Sequence, residues 1–277
     1  MPAELRKRGP GLDRVRGFVF DVDGTLVHRE PDGRARPQPG AVDVLERIRA
    51  SGRPLVLFTN GSHVGAETIA RGLRDSGLPV ADDELLTPVE SAISYLGRRH
   101  HDQPALLFCS AVIRQRIAAA GIAVAGEHDE PGVVFVAHVD ELDLAAVERA
   151  ADAVWKGAAL LTGSYVRAYA GANGPIISRG AMVTAAIAKG GGARAKVVGK
   201  PSRAAVAEIG TRLGLPTNEL AVIGDDLGMD IALGRLGGSR TVLVRSGISG
   251  AIELDRLPAN RRPDAVVDGV ADLTAWL

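Results

Sequence analysis

The sequence predicts an α/β fold, a parallel sheet covered by helices, with a second α/β domain inserted into it. Three observations carry this. Short apolar runs alternate with amphipathic stretches from end to end. The runs are apolar throughout rather than alternating with polar residues, which suits strands buried on both faces. Two compositional breaks, VADDELLT at 80–87 and KGGGAR at 189–194, enclose a stretch with its own strand–helix order. The expected organisation is therefore a discontinuous core, residues 1–82 and 191–277, around an inserted domain at 83–190.

Phe18, Val19 and Phe20 open the first strand, 17–22, and Gly24 breaks it. Positions i and i+2 at a strand end project to one side. Asp21 and Asp23 would thus present two carboxylates at the mouth where open α/β sheets bind ligands. Two anions so close repel unless a cation, a shared proton or a positive group compensates. A hard cation held by oxygens, magnesium above all, is the economical answer, and a plain Asp-Gly turn is the alternative. Residues 28–39, with Arg29, Glu30, Asp32, Arg34 and Arg36, read as an exposed flap outside the sheet.

A helix at 40–50 stops at Gly52, and a strand at 54–58 runs into Thr59-Asn60-Gly61-Ser62 and a helix at 64–76, stopped by Gly77. Inside the insert, strands at 105–109, 132–137 and 158–162 alternate with helices at 88–99, 111–120, 143–156 and 180–189. A strand at 195–198 leads to Gly199-Lys200-Pro201-Ser202, which starts a helix at 202–213. A strand at 219–223 leads to Gly224-Asp225-Asp226-Leu227-Gly228-Met229-Asp230 and a helix at 227–236. Strands at 240–244 and 264–267 and a helix at 269–276 close the chain.

Composition narrows the function. Of 277 residues, 46% are apolar, ample for a core, and 33 basic residues balance 33 acidic ones. A formal charge of zero argues against general attraction to nucleic acid or to an anionic membrane. Cys109 is the single cysteine, so no internal disulfide forms, and its place after Leu106, Leu107 and Phe108 reads as a buried strand-end thiol. No apolar run approaches the ~20 residues that span a bilayer. The opening segment, with Arg6, Lys7 and Arg8, lacks the apolar core of a secretion signal, and a cytoplasmic protein is expected. None of the six histidines shows a metal-binding spacing.

Taken singly, the chemical segments have local explanations. Ser62 or Asn60 caps a helix, Lys200 is a surface charge, and the acidic turn answers a helix dipole. Taken together, they place a carboxylate pair, a hydroxyl-rich turn, a lysine and an acidic turn at successive strand ends. That set supplies a nucleophile, a phosphate cradle, a positive clamp and a metal site, the parts of phosphoryl transfer.

In these segments the chain resembles the haloacid dehalogenase (HAD) superfamily, type IIA, the branch of NagD-like, nitrophenylphosphate and pyridoxal-phosphate phosphatases. DVDGTL at 21–26, TNGS at 59–62, GKPS at 199–202 and GDDLGMDI at 224–231 match its four motifs in order, and the likeness continues through 234–249. The resemblance implies a Rossmann-like core with a large α/β cap inserted between the second and third motifs. It implies a magnesium-dependent phosphatase acting on a small phosphorylated metabolite. Asp21 would be the nucleophile that becomes an aspartyl phosphate, and Asp23 the acid and then the base. Lys200 would neutralise the phosphorylated Asp21, while Thr59, Asn60 and Gly61 hold the phosphoryl oxygens. Magnesium would be bound by Asp21, the Asp23 backbone carbonyl and Asp225, with Asp230 or Asp226 orienting a bound water. A phosphomutase or phosphotransferase, and a ligand-binding regulatory protein of weak turnover, stand as alternatives. Pairing of caps in the branch implies a possible homodimer. In the cap, residues 160–182 depart from the branch pattern, and Tyr165, Arg167 and Arg179 are candidate contacts to the leaving group.

Overall fold

The computed structural model describes residues 11–30, 33–171 and 174–277; the basic opening segment and Asp32 of the flap lie outside the described residues. Contacts divide the chain into two units, each built on its own parallel sheet. The first comprises Met1–Thr59, Ala66–Leu86 and Ala205–Leu277, the second Asn60–Gly65 and Thr87–Ala204.

The first unit begins with β1 (Gly17–Phe20), the hairpin β2 (Val27–Arg29) and β3 (Ala35–Pro37), α1 (Ala41–Ala50), β4 (Leu55–Phe58), α2 (Ala66–Asp75) and β5 (Leu85–Leu86). The second holds α3 (Pro88–Arg99), β6 (Ala105–Phe108), α4 (Ala111–Ala119), β7 (Val133–Val136), α5 (Leu144–Trp155) and β8 (Ala159–Thr162). It continues with the hairpin β9 (Ala168–Gly171) and β10 (Gly174–Ile177), α6 (Arg179–Gly191) and β11 (Lys196–Val197). Through α7 (Arg203–Leu213) the chain returns to the first unit for β12 (Leu220–Gly224), α8 (Ala232–Gly237), β13 (Arg240–Val244) and β14 (Ala265–Val267).

The core sheet has the order β14-β13-β12-β1-β4-β5, and every pairing in it is parallel. From β1 the chain moves outward to β4 and β5, and from β12 it moves the other way to β13 and β14. The order therefore reverses between β1 and β12, and a crevice opens at the carboxyl ends of those two strands. Both faces are covered, which is why the strands carry no polar face. Phe18, Phe20, Leu57 and Ile223 pack with Val44, Leu45 and Ile48 of α1 and Leu73 of α2. Val19, Val56, Phe58 and Val222, on the opposite parity, pack with Ala205, Ile209 and Leu213 of α7.

The second sheet, β11-β8-β7-β6, is also parallel and also covered twice. Leu107, Phe135 and Leu161 meet Val89 and Leu96 of α3 and Ile113 and Ile117 of α4. Leu106, Val134 and Leu160 meet Val147 and Val154 of α5 and Val183 and Ile187 of α6.

Several elements differ from the sequence expectation. The strand at 195–198 belongs to the second sheet, where Lys196 and Val197 pair with Leu161 and Thr162. The segment at 80–87, read as a hinge, contains β5, which pairs with β4 at the edge of the core sheet. The glycine-rich stretch at 189–194 does not break α6, which runs through Gly191 and ends at Gly192 in the left-handed region, φ 64°. Gly190 and Gly191 lie where a Cβ would crowd Ala151 and Val154, so these glycines let α6 approach α5. The flap is a two-stranded hairpin, and the closing segment Val270–Ala275 is 3-10 rather than α-helical. Among the described residues, no helix is long and apolar enough to cross a membrane.

Candidate active site

The crevice between β1 and β12 is lined by carboxylates. Strand β1 ends at Phe20, and the backbone N–H of the next residue, Asp21, donates to the Ile223 carbonyl of β12 at 2.9 Å. Asp225 follows β12 directly, and Asp230 lies in the π-turn Leu227–Ile231 that leads into α8. Asp21, Asp225 and Asp230 each bring a carboxylate oxygen within 4.8 Å of the other two. All three are buried, with 7%, 3% and 2% of their surface exposed.

Glycines make room for this crowding. A Cβ at Gly224 would overlap the Asp230 carboxylate, and one at Gly24 or Gly247 would overlap Asp225 Oδ2. The loop after β13 then fixes Asp225. The Ile248 N–H donates to Asp225 Oδ2 at 2.7 Å, and the Ser249 N–H donates to the Asp225 carbonyl at 3.0 Å. Ser249 Oγ accepts from the Leu227 N–H at 3.1 Å, and Ser246 Oγ donates to the Gly24 carbonyl at 2.7 Å. Asp230 Oδ2 accepts from the Asp226 N–H at 3.2 Å.

Three buried carboxylates this close repel one another. The donor set is all oxygen, with no thiolate or imidazole, which fits a hard cation such as magnesium rather than zinc. Among the described residues it is the one group of this kind.

Asp23 takes a different position. An i, i+2 projection needs the strand to continue through residue 23, but β1 ends at Phe20 and the chain coils back. The N–H groups of Leu26 and Val27 both donate to the Val22 carbonyl. The Asp23 side chain, 41% exposed, stands outside the buried acidic group. Its Oδ1 accepts from Arg29 Nε of the flap at 2.6 Å, and Thr59 Oγ1 donates to its Oδ2 at 3.4 Å. Thr59, buried at the end of β4, thus lies beside Asp23.

The remaining expected residues are found as follows. Asn60 and Gly61 begin a short segment of the second unit, and Lys200, which is buried, follows β11 in that unit. Asp226 serves as a helix cap, its Oδ1 accepting from the N–H groups of Gly228 and Met229 at 2.7 and 3.2 Å. In the cap candidates, Arg179 pairs with Asp140 at 3.2 Å, whereas Tyr165 and Arg167 are exposed. Among the described residues the three make no hydrogen bond or ion pair with one another. Burial pushes the Cys109 thiol from 9.0 up to about 11, with Arg114 opposing the rise only in part, which disfavours the thiolate a nucleophile needs.

From the sequence alone, Arg29 has no role beyond the flap and the loop Ser246–Ser249 has none at the site. The loop carried a usable signal, since it follows a strand of the core at its carboxyl end, where such sheets place their sites.

The chain belongs to the haloacid dehalogenase-like hydrolases, in their type IIA branch. The model of the family described as haloacid dehalogenase-like hydrolase matches residues 18–123, and that of the HAD-hydrolase-like family matches residues 197–273. The second parallel sheet, β11-β8-β7-β6, is the inserted cap of this branch. Ribonucleotide monophosphatase NagD of Escherichia coli K12 is 27% identical over 94% of this chain and 98% of its own. The crystal structure of 4-nitrophenylphosphatase from Thermotoga maritima superposes with a TM-score of 0.84 at 26% identity, covering 96% of this chain and 98% of that one. The fold is also that of glycerol phosphate phosphatase from Mycobacterium tuberculosis, crystallised with magnesium, at TM-score 0.83 and 24% identity over 94% of this chain and 77% of that one.

Proposed function

We propose that this type IIA phosphatase hydrolyses a small phosphomonoester in a magnesium-dependent reaction that passes through an aspartyl phosphate on Asp21. The observation that supports it most is the buried group Asp21, Asp225 and Asp230 at the point where strand order reverses. The relatives named above act on a ribonucleotide monophosphate, 4-nitrophenyl phosphate and glycerol phosphate. They share the phosphomonoester and differ in what leaves.

In the proposed reaction the Asp21 carboxylate attacks phosphorus while the bond to the ester oxygen breaks, and Asp23 delivers a proton to that oxygen. Asp23 then takes a proton from water as it attacks the acyl phosphate, releasing inorganic phosphate and restoring Asp21. The geometry suits two separate duties. Asp21 is buried among acids that could hold a cation, whereas Asp23 is part-exposed, where a leaving group would depart. Magnesium bound by Asp21 and Asp225, with Asp230 beside them, would offset the charge of the phosphoryl oxygens. Thr59 orients Asp23 in this reading. The parts of Asn60, Gly61 and Lys200 rest on the motif resemblance alone.

The test is release of p-nitrophenol from p-nitrophenyl phosphate by purified protein. Release with magnesium, its loss on chelation, and its loss in Asp21→Asn are the expected results. Undiminished turnover by Asp21→Asn would remove the mechanism.

A further inference from the structure

The flap places one cation against the proposed proton donor. Arg29, at the end of β2, is held in register by pairing of β2 with β3, Arg29 opposite Ala35. Elsewhere in the hairpin, Glu30 accepts from Arg36 at 3.5 Å and contacts His28 at 3.2 Å. Arg29 instead reaches inward, its Nε 2.6 Å from Asp23 Oδ1. Its two Nη groups make no further hydrogen bond or ion pair among the described residues, and the side chain is 39% exposed.

A guanidinium carries five donors in a planar fork that suits a carboxylate or phosphate. Here, among the described residues, one donor is engaged and the rest of the fork has no partner. To protonate an ester oxygen, an Asp23 oxygen must come within about 3 Å of it, which sets the Arg29 guanidinium within about 6 Å of the same atom. An anionic group one or two bonds from the ester oxygen falls inside that radius, whereas a neutral leaving group offers the fork no partner.

We propose that Arg29 is a specificity-determining residue, selecting phosphomonoesters whose leaving group bears a carboxylate or second phosphate next to the ester carbon. The inference rests on the phosphatase reading and on Asp23 as proton donor. An anion in this place takes over the guanidinium and frees the Asp23 carboxylate to face the ester oxygen. Arg29 thereby couples recognition of the leaving group to release of the group that protonates it.

The experiment uses a matched pair of substrates, 2-phosphoglycolate and 2-hydroxyethyl phosphate, which differ in the anionic group alone. In Arg29→Gln, the ratio of kcat/KM for the anionic over the neutral ester should fall about 10–100-fold, mostly through KM, with Arg29→Lys recovering part of it. The same ratio is read without turnover, from titration calorimetry of both esters into Asp21→Asn and into Asp21→Asn/Arg29→Gln. A ratio unchanged by loss of Arg29 overturns the proposal. Equal losses on both esters also overturn it, and make Arg29 a positioning residue for Asp23. Because the titrations do not need catalysis, failure of the phosphatase reading, seen as no turnover of p-nitrophenyl phosphate by the wild-type chain, is told apart from failure of this one.

Discussion

Asp21 and Asp23 lie two residues apart and meet opposite surroundings. Asp21 is enclosed by other carboxylates, while Asp23 is part-exposed and held by Arg29 and Thr59. Amide replacement keeps the shape of either side chain and removes its charge. Asp21→Asn and Asp23→Asn should each lower kcat on p-nitrophenyl phosphate by about 10³-fold, a loss of about 4 kcal/mol in transition-state stabilisation. The two variants separate by intermediate trapping: acid quench of Asp23→Asn should retain labelled phosphate on the chain, and that of Asp21→Asn should not. Label on both, or on neither, would contradict the assigned division of labour.

At the scale of elements, the loop after β13 matters as much as the acidic turn it clamps. The Ile248 N–H binds Asp225 Oδ2, and Gly247 leaves no room for a side chain against the same oxygen. Gly247→Ala should therefore push Asp225 from its place. It should cost about 1–3 kcal/mol in urea unfolding and weaken metal binding seen by calorimetry. Wild-type behaviour in both measurements would make the loop incidental. Beside β6, Cys109 offers a test by pH. Burial pushes its thiol up to about 11 from the ordinary 9.0. The folded state thus favours the protonated form, a contribution fully present below pH 9.0 and lost as pH rises toward about 11. Iodoacetamide should modify the native chain slowly at pH 8 to 9 and the urea-unfolded chain rapidly; equal rates would show that burial does not protect the thiol.

Across the whole molecule, cation binding and stability are linked. A cation bound by the Asp21, Asp225 and Asp230 group would offset the repulsion among their carboxylates. Magnesium at about 100 times its Kd should add about 2.7 kcal/mol to the stability of the wild-type chain. Asp225→Asn should gain little from magnesium. A magnesium-induced rise in Tm as large in Asp225→Asn as in wild type would sink the assignment of this cluster as the metal site.

The long elements were legible because their signals are local. Phe18–Phe20, Leu55–Phe58 and Val133–Val136 are continuous apolar runs, and each is a strand covered on both faces. The short pieces were not. Leu85–Leu86 is two residues long, and the hairpins at Val27–Pro37 and Ala168–Ile177 lack the apolar pattern of a buried strand. Nor could Lys196–Val197 be assigned to a sheet, since partner choice depends on residues some 35 positions away, at Leu161 and Thr162.

By itself the sequence determined the α/β class, the order of the main strands and helices, and the acidic turns at strand ends, since apolar runs and turn residues act over a few positions. Only the tertiary structure decided which acids meet. Pairing of β1 with β12 brings Asp21 to Asp225, the π-turn carries in Asp230, and the early end of β1 hands Asp23 to Arg29. Those encounters depend on strand register and on where a strand stops, and both are set by packing between segments up to about two hundred residues apart.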